Sequence, residues 1–76
     1  MTTRLEALCL KAHETKGPQH FSAIWAIREF IKTNGENVAE KEIRRIERVE
    51  AFHMLWEAGL SGHLQQVTLD VWHGLL

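Results

Sequence analysis

Residues 37–60 read NVAEKEIRRIERVEAFHMLWEAGL, and this stretch decides the fold. Asn37 and Glu40 make an N-x-x-E start, with a side-chain acceptor at the N-cap and a carboxylate three residues on. Val38, Ile43, Ile46, Val49, Phe52 and Trp56 then recur at helical spacing and predict one apolar face. Gly59 is placed to end the helix in a left-handed turn, with Leu60 folding back toward Leu55. On the other side, Lys41, Arg44, Arg45 and Arg48 fall at i, i+3, i+4 and i+7 and predict a shared basic arc. The stretch therefore predicts a single long helix with a core stripe and a cationic face.

Working outward, Thr3 and Glu6 form a T-x-x-E capping box that opens a first helix running to about Glu14. Its inner face is Leu5, Leu8, Cys9 and Ala12, and Lys16-Gly17-Pro18 stops it. A second helix covers about His20 to Thr33, where Ile24, Ile27 and Ile31 share one face. Phe21 and Trp25 flank that face on one side; Ala23, Ala26 and Phe30 flank it on the other. Apolar character wraps most of this helix, interrupted mainly by Arg28 and Lys32, so neighbours must cover it on several sides. Asn34-Gly35 ends it. After Gly59, Ser61 can cap a last helix over about Gly62 to His73, with Leu64, Val67, Val71 and Leu75 on one face. The alternation of Val67, Leu69 and Val71 with Thr68, Asp70 and Trp72 also fits a strand, but a lone strand has nothing in this chain to pair with. The expected architecture is all-α: a compact bundle of four helices over residues 1–76, in one domain, with a long third helix. That helix would project past its shorter neighbours, and its uncovered remainder predicts a homodimer seam.

Composition narrows the function. Seventy-six residues bury only about 60–65% of their unfolded surface, and small domains often add core by association. The chain is 45% hydrophobic and holds three Trp, more than a minimal core needs. A net charge of −1 gives no overall field to draw nucleic acid. The lone cysteine, Cys9, excludes an internal disulfide and fits a reducing compartment. Arg4, Glu6, Lys11 and Glu14 break up the first residues, which therefore do not read as a signal peptide, and no apolar run reaches the roughly 20 residues that span a bilayer. A cytoplasmic protein without membrane contact is expected.

Motifs for chemistry are sparse. Cys9 and His13 stand at i, i+4, a chelating spacing, but His20, His53, His63 and His73 supply no second short pair, so no metal is expected. Ser22 and Ser61 lie near helix starts with no base close in sequence, and no glycine-rich loop is present to cradle a phosphate. The sequence predicts no enzyme and no cofactor. It predicts a small regulatory module (an inhibitor, anti-activator or adaptor) that binds another protein through Phe21, Trp25, Arg28 and Phe30 on the second helix. The competing expectation is a dimeric DNA-binding regulator that lays Lys41, Arg44, Arg45 and Arg48 against phosphates or an acidic partner. A helix-turn-helix drawn across Asn34-Gly35 fits poorly, since Lys41 stands where the recognition helix should tuck in an apolar residue.

Overall fold

The computed structural model describes residues 2–75, and among them every regular element is a helix. In chain order these are α1 (Arg4–Glu14), α2 (Pro18–Asn34), α3 (Glu36–Ile43), α4 (Val49–Ala58) and α5 (Gly62–Leu75). There are thus five helices, and the long third helix of the expected bundle does not form.

Local signals set most of the boundaries. Thr3 is extended and its hydroxyl accepts the Glu6 N–H at 3.3 Å, which starts α1. Gly17 turns the chain at φ +68, and Pro18 takes the first position of α2, where its missing N–H costs nothing. Gly35, at φ +89, closes α2 through its N–H to the Ile31 carbonyl at 2.9 Å and also opens α3. The start of α3 therefore lies at Gly35, and Asn37 sits inside the first turn rather than at the N-cap. Gly59 is left-handed at φ +80 and ends α4, with Leu60 folded back into the core. The strand alternative for residues 67–72 gives way to α5, where the buried Thr68 hydroxyl donates to the Leu64 carbonyl at 2.8 Å. The Ser61 hydroxyl donates to Glu36 of α3, while its carbonyl accepts the Gln65 N–H.

Between Ile43 and Val49 the helical run is broken by a turn at Arg44-Arg45 and an irregular stretch, residues 46–48. No glycine or proline lies there; the cause is tertiary. As one helix, the 24 residues from 37 to 60 would measure about 36 Å, longer than the 31 Å maximal extent of the molecule. A straight rod would carry either Ile43 and Ile46 or Phe52 and Leu55 outside the globule. With the break, all four are at most 2% exposed. The backbone donors freed by the break meet one carboxylate: Glu6 Oε2 accepts the N–H of Glu47 at 2.9 Å and of Arg48 at 3.0 Å. In the opposite sense, Glu42 Oε1 accepts the Leu5 N–H at 2.8 Å. The start of α1 and the two residues just before α4 are thus each held by an acid roughly forty residues away in sequence, and Glu6 is itself buried at 2% exposure. Glu6 does not reach back to Thr3 to complete the local capping box; it is the brace of the α3–α4 corner.

The core collects Leu5 and Cys9 from α1, Ile27 from α2, Ile43 from α3, Phe52 and Leu55 from α4, and Leu64 from α5. Helix α1 packs on α2 and α4, while α3 lies against α2 and α5. Trp72 lies half-buried on this core, stacked over Phe52 with centroids 6.0 Å apart and planes at 12°. This arrangement holds α2 with one side against the core and the other facing outward.

Candidate functional site

The outward side of α2 carries the largest exposed apolar groups among the described residues. Phe21 is 72% and Trp25 58% exposed, one helical turn apart. The Arg28 guanidinium lies over the Trp25 ring, 5.5 Å from its centroid, a cation–π contact. His20 meets the Phe21 ring edge-on at 6.2 Å. Of the four residues expected to contact a partner, Phe21, Trp25 and Arg28 therefore lie together. Phe30 does not join them. Nine residues beyond Phe21, at about 100° per residue, it points to the opposite side of α2. There it is 7% exposed, with the Arg4 guanidinium 5.5 Å from its ring. It is a core residue.

Two grooves flank α2. One, of about 350 Å³, runs between α2 and the start of α5, with Trp25, Ile31, Leu60 and Leu64 as its apolar wall and Arg28, Lys32, Glu29 and Glu36 around it. The other, of about 430 Å³, lies between α1 and α2. Its floor is Leu8, Ala23 and Ala26, its polar lining is Thr15, Gln19 and Ser22, and its single charge is Lys11.

The basic arc is dissolved by the break. Lys41 stays on α3, Arg44 closes that helix, Arg45 is in the turn and Arg48 precedes α4, so the four do not share a helix face. Two are also neutralised by neighbours: Arg44 donates to Glu40 at 3.1 and 3.2 Å, and Arg48 to Glu50 at 2.8 Å. Glu40 accepts from His63 as well, at 2.7 Å. His63 and then Arg44 hold the Glu40 carboxyl below the usual range, and Arg48 does the same for Glu50.

The cysteine and histidines separate. Cys9 is wholly buried and its thiol is pushed up to about 12, first by burial and then by the nearby Glu6 charge, whereas His13 faces solvent. Among the described residues no three His, Cys, Asp or Glu side chains gather to hold a metal ion. His53 is exposed, its ring edge-on to Trp72 at 5.5 Å.

His20 makes the most consequential polar contact of this region, and sequence reasoning passed over it. Its Nδ1 lies 2.8 Å from the Ala12 carbonyl and its Nε2 2.6 Å from Glu57 Oε1, which ties the end of α1, the start of α2 and α4 together. Both acceptors want an N–H, and only the imidazolium has two. The hydrogen bond to Glu57, then that to Ala12, raises the His20 pKa above its ordinary 6.5. A raised folded value means stability that is complete below the ordinary pKa and is lost as pH climbs through the folded one. Urea unfolding between about pH 5.5 and pH 8.5 is expected to show the native chain losing its advantage over His20→Gln as pH rises. Parallel pH profiles for the two would show that the charge on His20 contributes nothing.

No helix among the described residues is long and apolar enough to cross a membrane. Comparison of the chain with protein-family models, curated proteins and solved structures finds no match in any of the three.

Proposed function

We propose that this chain is a small regulatory interaction module, an inhibitor, anti-activator or adaptor, that binds another protein through the outer side of α2. The observation that carries this reading is the pair Phe21 and Trp25, left 72% and 58% exposed on a chain whose other large apolar groups are mostly covered. Trp and Arg lead the residue types that dominate binding energy at protein interfaces, and here Trp25 and Arg28 already sit in contact. The cation–π contact also limits the freedom that Arg28 must give up on binding. The groove beside Trp25, with an apolar wall and charges of both signs around it, supplies the surrounding rim. A free, buried Cys9 is compatible with a reducing compartment, and we place the protein in the cytoplasm on that ground. The nucleic-acid reading has lost the continuous cationic helix on which it rested.

The immobilised chain is expected to retain a discrete protein partner that Trp25→Ala fails to retain, with unchanged helical circular dichroism. Truncating a central aromatic anchor costs at least about 2 kcal/mol, some thirtyfold in affinity. Equal retention by Trp25→Ala, or by a Phe21→Ala/Trp25→Ala pair, would place the binding surface elsewhere.

A further inference from the structure

The exposed row on α2 does not end at Trp25. Phe21, Trp25 and Glu29 follow at i+4 spacing and form one ridge, aromatic at one end and acidic at the other. On the α1 side of the same helix lies the groove floored by Leu8, Ala23 and Ala26, whose only charged lining residue is Lys11. A knobbed ridge with an acid thus adjoins a trough of small residues with a base. Neither the Lys11 nor the Glu29 side chain has an ion-pair or hydrogen-bond partner within the described residues. Ridge and trough on a single patch meet the requirement of an isologous interface, in which a surface pairs with its own copy across a twofold axis.

We infer that a second copy of this chain seats on this face, α2 antiparallel to α2, each Phe21–Trp25–Glu29 ridge lying in the trough of the other copy. The inference rests on the reading of α2 as an interaction surface and names its first occupant. The axis crosses α2 level with Ile24. Trp25 of one copy then comes level with Ser22 and Ala23 of the other, where small side chains admit the indole. Glu29 comes level with Gln19. The contact of His20 with the Ala12 carbonyl fixes the end of α1 beside the start of α2, and Lys11 lines the same groove as Gln19. Each Glu29 therefore meets the Lys11 of the other copy, twice per dimer by symmetry. Rows spaced i+4 on both helices interlock at a crossing angle of about −50°. The two aromatic side chains supply on the order of 250 Å² of accessible surface per copy. That is the centre of an interface below the standard size of about 800 Å² per partner, and interfaces at this low end exchange readily. Self-pairing covers Trp25, so a regulatory partner binding there competes with the dimer, and the monomer is the form that binds.

The test is mass in solution, by sedimentation equilibrium from about 1 µM to about 500 µM, for the native chain, Lys11→Glu, Glu29→Lys and the double reversal. Both positions are exposed, and circular dichroism and thermal melts verify that each variant is folded. The expected result is a concentration-dependent dimer for the native chain. Each single reversal, which opposes like charges at two symmetric contacts, weakens it at least tenfold; the double reversal restores it. A native chain that is monomeric throughout overturns the self-pairing and leaves the α2 reading to its own test, partner retention by Trp25→Ala. A dimer unmoved by the single reversals, or not restored by the double, overturns this geometry.

Discussion

Glu6→Ala is expected to destabilise the fold by about 2–4 kcal/mol, a large part of the roughly 4–11 kcal/mol available to a chain of this length. The carboxylate is 2% exposed and one of its oxygens accepts two main-chain N–H groups, of Glu47 and Arg48, at 2.9 and 3.0 Å. Hydrogen bonds to a charged acceptor contribute about 1.5–3 kcal/mol each, less in sum where they share one atom. Alanine leaves both donors facing an apolar void, and the positive end of α4 loses the negative charge set against it. Glu6→Gln retains an acceptor oxygen and should lose about half as much; Glu6→Asp, one methylene shorter, should behave more like alanine. Urea unfolding followed by circular dichroism gives these values. The location of the loss matters as much as its size. Amide hydrogen exchange at residues 44–48 should quicken in Glu6→Ala before exchange in the middle of α2 does. Uniform loss across the chain would show that Glu6 stabilises the core in general and not the corner in particular.

That corner also shows where the fold is legible in the sequence and where it is not. Gly17-Pro18, Asn34-Gly35 and Gly59 mark element ends by local chemistry, and the three glycines are those with positive φ. Each acts within a few residues, so each can be read from a few residues. The break at 44–48 has no such mark: EIRRIER holds no glycine or proline, and Ile43, Ile46, Val49 and Phe52 keep a helical spacing across it. What breaks the helix is the demand that both halves cover one core, and what satisfies the break is Glu6, some forty residues upstream. Locally Glu6 matches a capping box with Thr3, and the match concealed its long-range role. The basic arc failed with the helix that was to carry it. On α2 the limit was different. The apolar wrap was plain in the sequence, but which sector faces outward depends on where α1, α4 and α5 pack. That packing turns Phe30 inward and leaves Phe21 and Trp25 outside. His20 was invisible for the same reason, because its two acceptors, Ala12 and Glu57, belong to other helices.

Phe52→Ala is expected to cost about 3–5 kcal/mol, the range for deleting a buried aromatic ring, and to leave the chain marginally folded or unfolded at 25 °C. Phe52 heads the fully buried side chains by volume, and it stands between the core and α5, with Trp72 stacked on it. The stack adds to the burial, since aromatic pairs contribute about 0.5–1.5 kcal/mol beyond area. Against this, the Trp72 indole N–H is buried without an acceptor, a cost the native packing already carries. If the ring moved into the space left by Phe52 it would refill part of the void; if it swung outward it would hydrate its N–H. The two responses are separable in a Trp25→Phe/Trp56→Phe background, where Trp72 is the sole fluorophore. At a temperature where Phe52→Ala keeps its native helical circular dichroism, a red-shifted emission reports the outward swing, an unshifted one the inward collapse. Phe52→Leu, which keeps most of the volume but not the stack, should lose roughly 1–1.5 kcal/mol. A loss below about 1 kcal/mol in Phe52→Ala would mean that α5 is held by Leu64 and Val67 and not by its Trp72 end. The distinction reaches the interaction surface, because Leu64 at the start of α5 and Leu60 just before it wall the groove beside Trp25. If Phe52 and Trp72 hold α5 in place, they also hold that wall, and loosening them should weaken partner binding at Trp25 with no change to any residue a partner would touch.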